Sequence, residues 1–250
     1  MKRSLFVALG VMIALQPVQA SAQIFNGTPN SVEYLNFIEG SHQGGTYGVQ
    51  VGPYSGRFGA SASRTAPTSP FALYCVDYEH YASNSNGLVN VSSLGGDLSN
   101  TRIGSTDATH AYDRYKQSAF LSSLYDSWGS HQSTLTAGFA GTFSKAEVWG
   151  GLHAAIWNIS TGPTTLGSGR TAVAREYFLG LANGDLTDFS TEGWYLLSEA
   201  DVGLSSRYSG QEFLMRVAVP EPSTIFLLLT GMVLLVGANR KRLVVLDQGV

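Results

Sequence analysis

Residues 144–162 read SKAEVWGGLHAAIWNISTG, and this stretch decides which part of the chain is helical. Ser144 and Glu147 stand at capping-box spacing, where each side chain can satisfy the other's free backbone amide. Behind them Val148, Leu152, Ala155, Ile156 and Ile159 fall on one apolar stripe. Gly162 and Pro163 then stop the helix. Working outward, Tyr112, Tyr115, Ala119, Leu121, Leu124, Tyr125 and Trp128 recur mostly at three- and four-residue steps, which predicts an amphipathic helix over 111–128. Downstream a third helix is expected over 171–182, with Asn183 and Gly184 as its stop.

Strands are expected on both sides of this helical middle. Residues 71–78 follow Pro67 and Pro70 and give the best single strand. Residues 194–197 and 212–218 are two more. Residues 23–66 are rich in Gly, Ser and aromatics and read as short strands and turns, with 47–51 as one piece. Residues 84–100 read as a polar loop or hairpin. The expected fold class is α+β: one globular domain over 23–218, with a β-sandwich-like sheet portion and about three central helices.

Both ends of the 250-residue chain fall outside that domain. Lys2 and Arg3 precede an apolar run from Leu5 to Leu15, followed by Pro17 and the small residues Ala20, Ser21 and Ala22. Positive, apolar, then A-x-A is the order of a secretory signal peptide, so residues 1–22 are expected to be removed on export. A second apolar run, 225–238, ends at Arg240, Lys241 and Arg242. It predicts a transmembrane helix whose basic flank stays cytoplasmic, with residues 243–250 as a cytoplasmic tail and the domain outside the cytoplasmic membrane.

Just before that run stand Pro220, Glu221 and Pro222. Two prolines cannot continue a strand or a helix, so they break the domain from its anchor. The order Pro-Glu-Pro, apolar helix, basic cluster over 219–242 resembles the PEP-CTERM sorting signal of Gram-negative bacteria that make exopolysaccharide. That resemblance implies recognition by an exosortase, a membrane cysteine protease-transpeptidase expected to cut near Pro220–Pro222. Members usually stop soon after the basic cluster, whereas this chain continues from Leu243 to Val250.

Charge and cysteine content narrow the middle piece. Removing Lys2, Arg3, Arg240, Lys241 and Arg242 from the 15 basic residues, and Glu221 and Asp247 from the 18 acidic ones, leaves ten against sixteen. A mildly acidic domain lacks the basic stripe that a phosphate backbone requires, so nucleic acid is not an expected partner. Cys75 is the one cysteine, so no intramolecular disulfide can form and a packed core must hold the domain. His42, His80, His110 and His131 show no metal-ligand spacing, and no metal or cofactor is expected.

Two segments carry the remaining chemistry. Tyr74, Cys75, Val76 and Asp77 lie on the best strand, and Gly151, His153, Ile156 and Trp157 lie on the central helix. Together they resemble the two signature segments of the thioester-type domains of bacterial surface proteins. In that family a strand cysteine condenses with a helix glutamine four residues before a tryptophan, and the thioester then reacts with an amine. Glu212, Phe213 and Leu214 resemble the family's last strand. Here the glutamine position is His153. Imidazole has no acyl carbon, so Cys75 cannot form a thioester with it.

What remains is a Cys75–His153 pair, a candidate thiolate nucleophile and base with Asp77 as the nearest group to orient the ring. Against it stands the plainer reading of Cys75 as a small buried hydrophobe. The expectation is a non-enzymatic surface or exopolysaccharide-matrix protein. A Cys–His hydrolase is the alternative, and a covalent thioester adhesin a further one.

Overall fold

The computed structural model describes residues 31–39, 51–59, 71–80, 87–137, 141–163, 166–199 and 210–217. The expected signal peptide, the expected sorting signal with its apolar run, the expected tail and most of the strand expected at 47–51 lie outside these residues.

The described residues form six strands: β1 Ser31–Glu39, β2 Tyr54–Gly59, β3 Phe71–Cys75, β4 Gly87–Ser93, β5 Trp194–Glu199 and β6 Phe213–Arg216. The helices are α1 Arg102–Thr106, α2 Ala111–Ser123, α3 Trp128–Thr136, α4 Lys145–Thr161 and α5 Gly169–Ala182. The fold is α+β, with α2, α4 and α5 as its long helices.

Every strand pair is antiparallel. Five strands run in the order β2-β3-β6-β5-β4 as one curled sheet, and β1 pairs with both β2 and β4. This corrects the sandwich-like arrangement expected from the sequence. A strand that pairs at both edges turns a sheet into a ring, so the described strands form one closed sheet and not two stacked ones.

Side-chain alternation along the strands builds two cores at once. Leu73, Cys75, Val89, Val91, Leu197, Phe213 and Met215 pack on the inner side of the curl. Tyr74, Val76, Leu196, Leu214 and Trp194 face the helices instead. Both faces of the sheet are thereby covered.

Helix α4 connects the two cores. Its Val148, Leu152, Ala155 and Ile156 belong to the helical core, while Trp157 joins the inner core. The capping box forms as expected: Glu147 N–H donates to Ser144 Oγ at 3.2 Å, and Ser144 N–H donates to Glu147 Oε2 at 2.7 Å. Gly162, at φ 103°, ends the helix in a region that a side chain rarely adopts.

Helix α5 lies so close to α4 that Gly151 has no room for a methyl group. A Cβ there would stand 2.4 Å from Ala174 Cβ and 2.8 Å from Arg175 N. Helix backbone cannot yield as a flexible side chain can. Gly151→Ala is therefore expected to cost about 1–3 kcal/mol through overpacking. A thermal melt should show the midpoint fall by several degrees; an unchanged midpoint would mean that α5 is free to move away.

Candidate functional site

The fold brings both chemical segments to one place. Cys75 ends β3 and His153 lies mid-way along α4; both are fully buried. Tyr54 and Tyr125 flank the imidazole, with ring centroids 6.3 and 6.1 Å from it. Trp157, one turn on, stands 4.2 Å from it, centroid to centroid. Tyr78, half exposed, covers the outer side of Trp157 at 5.0 Å.

Hydrogen bonds fix the state of the ring. Gly52 N–H donates to His153 Nδ1 at 3.0 Å, so Nδ1 carries no proton. The Tyr125 hydroxyl, 2.6 Å from the same nitrogen, must then donate as well, and the imidazole proton sits on Nε2. Burial disfavours the charged form and pushes the His153 pKa down to about 3; the Cys75 carbonyl beside the ring opposes this only in part.

The thiol is held in the same way. Cys75 Sγ donates to the Asp77 carbonyl at 3.2 Å. Burial pushes its pKa up to about 12, while that bond and the Trp157 indole work in the other direction. A general base needs a free lone pair facing the proton it takes. His153 has none for Cys75, because two donors already fill Nδ1 and a proton occupies Nε2.

Asp77, expected from the sequence as the group that orients the ring, points elsewhere. Its carboxylate pairs with Arg102 Nε at 2.6 Å and with His80 Nδ1 at 2.7 Å. Arg102 Nη1 lies 3.2 Å from His80 Nε2, and Nη2 donates to the Gly210 carbonyl at 2.7 Å. The sequence placed His80 beyond the cysteine motif but gave no sign of Arg102 as its partner.

Beside this network lies Glu212, a buried carboxylate that joins four elements. It accepts from the Ser198 hydroxyl on β5, from the Tyr115 hydroxyl on α2 and from Arg102 N–H at the start of α1, the last at 2.9 Å. It stands immediately before β6, which lies between β3 and β5. Burial raises its pKa, and the three donors pull it back only in part. Cys75, Asp77 and Glu212 thus occupy one end of the β3–β6 pair, where Val76 N–H donates to the Glu212 carbonyl at 3.0 Å.

His42 lies outside the described residues, and His110 and His131 have partners of their own. His110 pairs with Asp107 at 2.8 Å in an exposed position, and His131 lies between Ser127 and Tyr177. Among the described residues no group of three or more His, Cys, Asp or Glu side chains is placed to hold a metal ion.

The buried histidine makes stability depend on pH. In the unfolded chain His153 gains its proton near pH 6.5; in the folded protein it resists to about pH 3. Its contribution is present above 6.5 and is lost as the pH falls through this window, by about 1.4 kcal/mol per pH unit at most. His153→Asn, whose Oδ1 can replace Nδ1 as acceptor, is expected to flatten that slope. Urea unfolding at several pH values checks it, and equal slopes in both proteins would refute it.

Comparison with protein-family models, with curated proteins and with solved structures found no match.

Proposed function

We propose that this chain is an exported, exosortase-sorted surface or exopolysaccharide-matrix protein whose domain has a structural or binding role and catalyses no reaction. One observation carries the reading: Pro220, Glu221 and Pro222, the apolar run 225–238, and Arg240, Lys241 and Arg242 stand in the order of a sorting signal, and residues 1–22 have the order of a signal peptide. The described residues belong to a compact unit that ends at Val217, directly ahead of that motif, which supports a cut outside the fold. The implied partners are an exosortase, the membrane through the apolar run, and extracellular polysaccharide.

The buried pair supports the non-enzymatic half of the reading. Cys75 is a thiol and His153 a neutral imidazole around neutral pH, and no lone pair links them. Both side chains serve the core between strand and helix in place of a thioester.

The test is to express the full chain in a bacterium with and without its exosortase. The expected product starts at Gln23 in both. With the enzyme present it ends near Pro220–Pro222; without it, the product keeps its C-terminus and stays with the membrane fraction. An identical C-terminus in both strains would remove the sorting claim.

A further inference from the structure

His80 stands between an anion and a cation, and the two together dictate where its proton sits. Nδ1 lies 2.8 Å from the Asp77 carboxylate, which as an anion can only accept, so Nδ1 carries the proton. Nε2 lies 3.2 Å from Arg102 Nη1, which can only donate, so Nε2 keeps its lone pair. The ring is therefore neutral and protonated on Nδ1. The opposite tautomer would set an N–H against the guanidinium and a lone pair against the carboxylate.

Several stretches of chain meet around this ring. Gln211 Nε2 donates to the His80 carbonyl at 2.5 Å and to the Asp77 carbonyl at 3.2 Å. Arg102, at the start of α1, donates from its backbone N–H to Glu212 and from Nη2 to the Gly210 carbonyl. His80 thus shares its cation with the segment that leads into β6. The charged groups around the ring and that cation are Asp77 after β3, the exposed Glu79 beside His80, Arg102 on α1, Glu199 at the end of β5 and Glu212 before β6. Glu199 Oε2 lies 4.0 Å from Arg102 Nη2 and already accepts from Gly210 N–H at 2.8 Å. A second carboxylate is therefore one small side-chain movement away from the same guanidinium. The His80 side chain is 12% exposed, so protons reach it from solvent.

We propose that His80 is an acid-operated latch on Arg102. While the ring is neutral, the guanidinium is held between Asp77 and His80. A proton taken from solvent onto Nε2 ends the bond from Nη1, because two donors then face each other and two positive charges that close repel. The imidazolium keeps Asp77 as its partner, and the guanidinium closes on Glu199. Returning the proton to solvent resets the latch. The Gly210 carbonyl is bound to the same guanidinium, so the change reaches the approach to β6. Each state has its own set of ion pairs, which is what lets one proton choose between them.

Crystal structures of the full chain at about pH 8 and about pH 5, the bounds of the range in which histidine changes charge, test this. At the higher pH Arg102 Nη1 is expected within hydrogen-bond distance of His80 Nε2. At the lower pH that contact is expected to be gone, with Nη2 drawn from 4.0 Å into hydrogen-bond distance of Glu199. The same Arg102 arrangement at both overturns the latch. In solution, nitrogen spectra of the full chain in detergent, with His80 assigned by its absence in His80→Gln, are expected to show a protonated Nδ1 and a bare Nε2 at about pH 8. A proton on Nε2 at that pH overturns the latch. On acidification the Nε2 signal is expected to move to its protonated position, and the Arg102 Nε–H signal, assigned by its absence in Arg102→Lys, to shift along the same curve. An Arg102 signal indifferent to that step overturns the latch. So does loss of the fold, read by circular dichroism, before the ring takes its second proton. Should either variant fail to fold, the two crystal structures decide without it.

Discussion

In the native protein the Cys75 thiol is expected to react with iodoacetamide roughly a thousandfold more slowly than an ordinary cysteine at about pH 7.5. Alkylation depends on the thiolate, and burial pushes the Cys75 pKa up to about 12. The sulfur is also wholly covered by the inner core, so the reagent must wait for the protein to open. In urea the same thiol should react at once. The intact mass should show no loss of ammonia, because His153 supplies no acyl group. Rapid labelling of the folded protein would instead revive a Cys75–His153 nucleophile and call for a substrate screen on esters and peptides. A mass short by one ammonia would mean that Cys75 had condensed with some other side chain, and the adhesin reading would return.

Replacing Glu212 by alanine is expected to cost about 3–5 kcal/mol, the largest stability loss of any polar position discussed above. The carboxylate accepts from Ser198, Tyr115 and Arg102 N–H. Its removal leaves three donors from β5, α2 and α1 unpaired in a buried site, and each orphan carries a desolvation penalty. Glu212→Gln keeps the shape and one carbonyl acceptor and should lose about 1–2 kcal/mol. The acid also has its own pH signature. Its folded pKa is raised above 4.5, so the folded state holds the proton more tightly than the unfolded chain does. The resulting stabilisation is present below about pH 4.5 and is lost as the pH rises through the folded value, opposite in sign to His153. Denaturant titrations of the wild type and both variants across this range measure cost and slope together. An alanine variant within half a kcal/mol of wild type would show that water reaches the site.

These two residues illustrate what the sequence can and cannot reveal. Local signals were legible. Ser144 and Glu147 are three residues apart, and their capping box formed as read. Gly162 ended α4, and Pro70 preceded β3. Strands β5 and β6 fell within a few residues of expectation, because apolar runs there are bounded by turn residues. The helix expected over 111–128 stops at Ser123. Its periodicity continues through Leu124 and Trp128, but the Ser123 and Ser127 hydroxyls donate to carbonyls three residues back and offer the backbone an alternative to the helix.

Strand β4 was hidden for another reason. Val89 and Val91 alternate as a strand should, but Asn84, Asn86, Gly95 and Gly96 around them read as loop. The strand is held by partners far along the chain: Val91 registers with Ser31 and with Leu197. Closure of the ring is likewise a property of two distant edges meeting. At the site, Cys75 and His153 could be named from a resemblance of short segments. Gly52 and Tyr125, which set the tautomer, could not, since nothing local marks a glycine amide or a tyrosine as the partner of a histidine 101 or 28 residues away.

The place of β6 bears on when this protein can fold at all. It is the last of the described strands to be made, yet it fills the middle of the sheet between β3 and β5, and it brings Glu212 with it. Until it arrives, β3 and β5 present bare edges to each other and the inner core lacks Phe213 and Met215. Contacts of such long range form slowly, after the loops that join them have closed. A chain that emerges from a ribosome, or threads a translocation channel, N-terminus first therefore has no complete sheet to lock into during passage. The β-sheet of the described residues can therefore be completed only after nearly the whole of residues 31–217 has been made.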